Sequence, residues 1–77
     1  MTNLKTLRCR NNSLFELNIS KNIKLTYLTC SSNQLSNLDV SNNIELGELY
    51  CYKNQLTNLD VYKNTKLTAL ACDSNQL

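Results

Sequence analysis

LTCSSNQL, residues 28 to 35, brackets a lone cysteine and an Asn-Gln pair between two leucines. It returns as LYCYKNQL at 49–56 and LACDSNQL at 70–77, and with more changes as LRCRNNSL at 7–14. Cys9, Cys30, Cys51 and Cys72 therefore stand 21 residues apart, and so do Asn12, Asn33, Asn54 and Asn75. Cut before its leading leucine, the chain falls into repeats at 4–24, 25–45 and 46–66 and a half repeat at 67–77, with no insertion or deletion. The consensus is L-x-x-L-x-C-x-x-N-x-L-x-x-L-D/N-V/I-x-x-N-x-x. A fixed internal period of this length is the mark of a repeat architecture.

Twenty-one is also three heptads, which raises a coiled coil as a rival. With Leu25 and Leu28 on the seam, Leu35 joins them, but so do Ser32, Asp39 and Asn42. A seam that is half polar in every repeat cannot hold two helices together. Leucine and asparagine supply 15 and 13 of the 77 residues, and asparagine at that level works against helix by competing for backbone hydrogen bonds. The alternation around Leu28-Thr29-Cys30 is that of a short strand, and Leu38-Asp39-Val40 repeats it more briefly on the other side of each coil. The residues between are turn formers, so each repeat reverses twice and equivalent strands pair in parallel, about 4.8 Å apart.

The pattern L-x-x-L-x-C-x-x-N-x-L resembles the leucine-rich repeat, with cysteine in the slot of the third strand leucine, and the tail L-x-x-L-D-V-S-x-N resembles the short bacterial type of that repeat. The expected fold is a β-rich solenoid of about 3.5 repeats, with a parallel sheet on its concave face and little or no helix. The whole of 1–77 is expected to form one array without capping segments, part of a longer one. The resemblance also implies a bacterial protein acting at the cell surface or in contact with a host.

In such a stack each repeated position becomes a ladder. Cys9, Cys30, Cys51 and Cys72 point inward as small apolar residues. Parallel Cβ vectors about 4.8 Å apart lie beyond the usual 3.5–4.5 Å reach of a disulfide, and ligands strung in a line cannot surround a metal ion. Asn12, Asn33, Asn54 and Asn75 are expected to satisfy backbone groups where the coil leaves its strand, and Asn22, Asn43 and Asn64 to do so at the other bend. Leu4, Leu7, Leu14, Leu17, Ile19 and their equivalents fill the interior. Ile23 and Ile44 are expected to close it, with Thr65 as a weaker third member.

Residues flanking leucine and cysteine on each strand project outward in three columns. The first holds Thr6, Tyr27, Glu48 and Ala69, the second Arg8, Thr29, Tyr50 and Ala71, and the third Arg10, Ser31, Tyr52 and Asp73. These positions vary while the interior holds, and they carry three of the four tyrosines and both arginines. Tyrosine and arginine are enriched at binding hot spots, although tyrosine also simply suits strands. Arg8, Arg10, Tyr27, Thr29, Glu48, Tyr50, Tyr52 and Asp73 form the candidate partner-binding set. On the opposite side Lys24, Glu45 and Lys66 alternate in sign, Asp39 and Asp60 stack like on like, and Tyr62 replaces the serine of Ser20 and Ser41.

Several functions are excluded. Without histidine neither a Ser-His nor a Cys-His nucleophile can be assembled. Glu48 and Asp73 would sit roughly 14 Å apart, outside the 5–9.5 Å of a glycosidase pair. No glycine-rich phosphate loop is present, no outward column is consistently threonine as an ice-binding face requires, and no cofactor is expected. A net charge of +2 is no footprint for nucleic acid or an anionic membrane. No run reaches the length of a membrane span, and MTNLKTLRCR at 1–10 lacks the apolar core of a signal peptide, so the sequence assigns no compartment.

What remains is a protein-recognition module on the concave sheet, a structural spacer or end-to-end assembly segment, or a glycan binder supported only by the tyrosines. Stability is expected to be marginal. Scaling gives roughly 8,000 Å² buried, worth about 120 kcal/mol of apolar burial against about 115 kcal/mol of ordering entropy. An elongated shape would bury less still.

Overall fold

The structure is a computed structural model that describes residues 3–77. Each repeat contributes one three-residue strand: β1 (Thr6–Arg8), β2 (Tyr27–Thr29), β3 (Glu48–Tyr50) and β4 (Ala69–Ala71). They form a single parallel sheet in the order β1-β2-β3-β4, and no helix occurs among the described residues. Register follows the 21-residue period without slip, so that Leu7, Leu28, Leu49 and Leu70 stand in line. Pairing continues past the strands: the Cys9 N–H donates to Thr29 O at 2.9 Å and the Asn11 N–H to Ser31 O at 3.0 Å, Cys30 and Ser32 repeat this one coil on, and Cys51 and Lys53 two coils on. The coils stack as a β-rich leucine-rich repeat solenoid.

The core sits in the two middle coils, joined by Ile19 of the first. Leu25, Leu28, Cys30, Leu35, Leu38 and Val40 of one and Leu46, Leu49, Cys51 and Leu56 of the next are buried, while Leu4, Leu7, Leu14 and Leu17 below and Leu59, Val61, Leu67 and Cys72 above pack on them partly exposed. The molecule measures 28 × 23 × 16 Å. Its accessible surface is 4920 Å², close to the ~4,800 Å² that scaling gives for a compact chain of this mass. The expected penalty of an elongated shape is therefore small at this number of coils.

Two details differ from the sequence reading, and a third finds its reason. Ile23 and Ile44 do not close the interior: each is 52% exposed, and Thr65 is exposed as well. The turn in which the Leu46 N–H donates to Asn43 O at 3.1 Å makes Ile44 and Glu45 its two central residues, which point away from the stack, and Leu25 with Asn22 does the same for Ile23. The alternation at Leu38-Asp39-Val40 is not a strand. There the carbonyl of Val40 accepts the Asn43 N–H and the Asn64 side-chain amide, so a side chain takes the place of a backbone ladder. Asp39 and Asp60 stack because each caps its own bend. Asp39 Oδ1 accepts from the Ser41 N–H at 2.9 Å and hydroxyl at 2.6 Å, Asp60 Oδ1 from the Tyr62 N–H, and Asn18 from the Ser20 N–H in the first coil.

The Ser41 hydroxyl, and after it the Ser41 N–H, hold the Asp39 carboxyl below its usual value of 3.8. A lowered folded-state pKa stabilises the fold above the unfolded value and loses that contribution as pH falls through the folded one. Asp39→Asn copies the residue already present at Asn18. It keeps the cap but not the charge, so it is expected to lower Tm slightly at neutral pH, to converge with the parent in acid and so to flatten the decline, measured by circular dichroism melts across that range.

Candidate functional site

The interior ladders come first, because they fix where the exposed face lies. Asn33 donates from Nδ2 to the carbonyls of Cys9, Cys30 and Ser31 at 3.0, 2.9 and 3.2 Å, and its Oδ1 accepts from the Leu14 N–H at 3.2 Å. Asn54 and Asn75 repeat the arrangement one and two coils on, whereas Asn12 donates within its own coil to Cys9 and Arg10. Asn33, Asn54 and Asn75 thus each clamp their own coil to the preceding one. The second ladder is less complete. Asn43 and Asn64 donate to carbonyls of two coils, but their buried Oδ1 atoms find no donor among the described residues.

All four cysteines are free thiols, Cys30 and Cys51 buried and Cys9 and Cys72 half-buried. Burial, reinforced by neighbouring thiols, pushes Cys30 up to about 12 and Cys51 up to about 11, and burial raises Cys9 too. A thiol held protonated in the core is not a nucleophile. Iodoacetamide is expected to modify Cys30 and Cys51 about a hundredfold or more slower in the native chain than in urea, because reaction must wait for unfolding. Mass spectrometry of the alkylated peptides measures this; native rates equal to those in urea would contradict it. Among the described residues no group of three or more His, Cys, Asp or Glu could hold a metal ion.

Side chains of the candidate set meet on the outer face of the sheet. The Arg8 guanidinium lies 5.1 Å from the centroid of the Tyr27 ring. Tyr27 in turn meets Tyr50 with centroids 5.6 Å apart and planes tilted by 48°. The Tyr50 hydroxyl donates to Glu48 Oε1 at 2.8 Å, and this bond holds the phenol above its usual pKa. One line of contacts, Arg8-Tyr27-Tyr50-Glu48, thereby crosses three strands. Cation–π and aromatic contacts of this kind contribute on the order of 1 kcal/mol each and hold the side chains in place.

Arg8, Arg10, Tyr27, Thr29, Tyr50 and Tyr52 line an open recess of about 390 Å³ on this face. Thr29 is only 6% exposed and Ser31 is fully buried. Thr29 stands in register between Arg8 and Tyr50, with Tyr27 bridging the two, so these larger side chains roof it over. It is the floor of the recess rather than a contact surface, and Ser31, with Arg10 and Tyr52 at the same position on the adjacent rungs, is covered in the same way. Asp73 is exposed beyond the last strand, outside the recess. The columns identified these residues as neighbours. The burial of Thr29 and Ser31 was also signalled there, by small residues flanked by arginine and tyrosine on both adjacent rungs.

Parallel strands at a strict 21-residue spacing, an inward leucine-cysteine face and an asparagine at each exit from the sheet define a leucine-rich repeat solenoid. The chain belongs to the bacterial leucine-rich repeat proteins. Among solved structures it is similar to the functional domain of InlJ from Listeria monocytogenes, which includes a cysteine ladder, with 42% identity and a TM-score of 0.95 over 96% of this chain. The match covers 16% of the InlJ chain, so this chain spans about a sixth of that length. No protein-family model and no curated protein matches it. No helix among the described residues is long and apolar enough to cross a membrane.

Proposed function

We propose that this chain is a protein-recognition module, not an enzyme, and that a partner docks on the outer face of its sheet. The observation that carries the reading is the line Arg8-Tyr27-Tyr50-Glu48. Its members pack on one another across three strands while the leucines and cysteines beneath complete the core without them. Side chains ordered in advance lose less entropy on binding, and tyrosine and arginine are the types that dominate interface energetics. The fold itself is a general binding surface, so the face rather than the fold supports the proposal.

The test is selection of a displayed random-peptide library on the native chain, followed by binding to Tyr50→Ala with Tyr52→Ala. Both rings lie on the sheet face and outside the buried core. Selected peptides are expected to lose about tenfold or more in affinity for the double variant, whose circular dichroism spectrum stays that of the folded parent while Tm falls by several degrees with the lost Tyr27 and Glu48 contacts. Peptides that bind the double variant equally well would place the site elsewhere. Absence of any enriched peptide would favour the spacer reading.

A second reading, end-to-end self-association, draws on Leu70 and Leu77, which are large apolar side chains exposed on the last coil. Light scattering on a sizing column across a range of concentrations decides it: a rising mass supports association, and a constant 8.8 kDa rejects it.

A further inference from the structure

The sheet face is charged unequally along its length. Arg8 and Arg10 sit at its β1 end, and no carboxylate among the described residues pairs with either, the one ion pair being Lys66 with Glu45 on another surface. Glu48 is held by the Tyr50 hydroxyl on β3, two rungs from β1, and pairs with neither arginine. Asp73 is three rungs from Arg10, roughly 14 Å, beyond the Debye length of about 8 Å at physiological salt. The two guanidiniums are therefore uncompensated, and one is fixed over an aromatic ring in the same recess.

Their spacing is equally defined. Backbone pairing runs on from β1 through Asn11, so the chain is extended from Arg8 to Arg10 and the two side chains leave the same face of the sheet. Alternate residues of an extended chain are about 6.6–7 Å apart. A second extended peptide presents its own alternate side chains at that same interval.

Resting on the recognition reading above, we propose that the partner offers an extended acidic segment in which two carboxylates occupy alternate positions, acid-x-acid, one to each of Arg8 and Arg10. Guanidinium pairs carboxylate through two parallel hydrogen bonds, a geometry lysine cannot reproduce. The body of the segment then lies over the rings of Tyr27, Tyr50 and Tyr52. Charge complementarity and the matched interval select this occupant, and a basic segment would meet two uncompensated like charges.

Three synthetic peptides of equal length test the proposal by titration, followed in ¹H–¹⁵N spectra of the native chain: a Glu-Ser-Glu core, a Glu-Glu-Ser core and a Lys-Ser-Lys core. The Glu-Ser-Glu peptide is expected to shift the amides around Arg8 and Arg10, to bind about five- to tenfold tighter than its adjacent-acid isomer, and to weaken as salt is raised. Arg8→Ala and Arg10→Ala each remove about tenfold in affinity, and Arg8→Lys with Arg10→Lys, which keep stem and charge, lose a smaller but measurable part. Equal binding of the two acidic isomers, equal binding of the basic peptide, undiminished binding by the alanine variants, or no shift at ~10 mM peptide would each overturn the proposal. If library-selected peptides still require Tyr50 and Tyr52, only the acidic partner falls. If they do not, the recognition reading falls with it.

Discussion

Asn54→Leu is expected to cost about 3–5 kcal/mol, most of the stability of a chain this size, for which about 4–11 kcal/mol is typical. Leucine is close in volume and favours burial, so size and hydropathy alone would forecast little change. The cost arises from hydrogen bonds. Asn54 Oδ1 is the acceptor for the Leu35 N–H at 3.1 Å, and its Nδ2 donates to Cys30 O, Cys51 O and Tyr52 O at 3.1, 3.1 and 3.4 Å. The Cys30 and Cys51 carbonyls keep a second amide, from Asn33 and Asn75. The Leu35 N–H keeps none and is sealed in the middle of the stack, where an unpaired donor costs about 1–3 kcal/mol by itself. The same change at half-exposed Asn75 is expected to cost less because the last described coil is packed on one side only and can give way to solvate the Leu56 N–H, and at exposed Asn12 least of all. Urea unfolding of the three variants gives the order directly. Equal costs at Asn12 and Asn54 would mean that the ladder does not clamp the coils.

Leu49→Ala is expected to remove about 3–5 kcal/mol as well, through packing rather than polarity. Leu49 is wholly buried and stands in register between Leu28 and Leu70, so a truncated side chain leaves a void that the coils above and below cannot close without breaking their own pairing. The equivalent Leu70→Ala, at a position 44% exposed, should cost about 1 kcal/mol or less. A solenoid couples each coil chiefly to its neighbours, so loss at a central rung weakens two interfaces and loss at an outer one weakens a single interface. Thermal melts that place Leu49→Ala and Leu70→Ala together would contradict this distribution of the core.

The coil, the sheet and its register were legible because an uninterrupted period forces equivalent residues into line: once Leu28 pairs with Leu49, Thr6, Tyr27, Glu48 and Ala69 must follow. What the sequence concealed depends on local backbone geometry or on the sizes of neighbours. Asn11, Ser32, Lys53 and Ser74 all adopt the left-handed conformation, with φ between 54° and 59°. No glycine marks the position, so a cost on the order of 1 kcal/mol is accepted at the serines and the lysine and the signal is lost. Ile23 and Ile44 look like core by residue type and are exposed because they occupy the centre of a turn. The like-charged stack of Asp39 and Asp60 became intelligible through the bend in which each Oδ1 accepts the backbone N–H two residues on, whether that residue is Ser41 or Tyr62. At the candidate site the columns placed Arg8, Tyr27 and Tyr50 as neighbours. Only the side-chain directions show them touching, and show Thr29 beneath them.

In the proposed reading a scaffold of leucine, cysteine and asparagine carries a separate recognition surface on its sheet. Mapping amide shifts on the native chain with a library-selected peptide tests that separation most directly. The predicted result is a contiguous set of shifts along β1, β2 and β3 that includes the amides of Arg8, Arg10, Tyr27, Tyr50 and Tyr52. Shifts gathered instead around Phe15 and Tyr62, the exposed aromatic residues away from the sheet, would contradict it and move recognition to the opposite side of the coils.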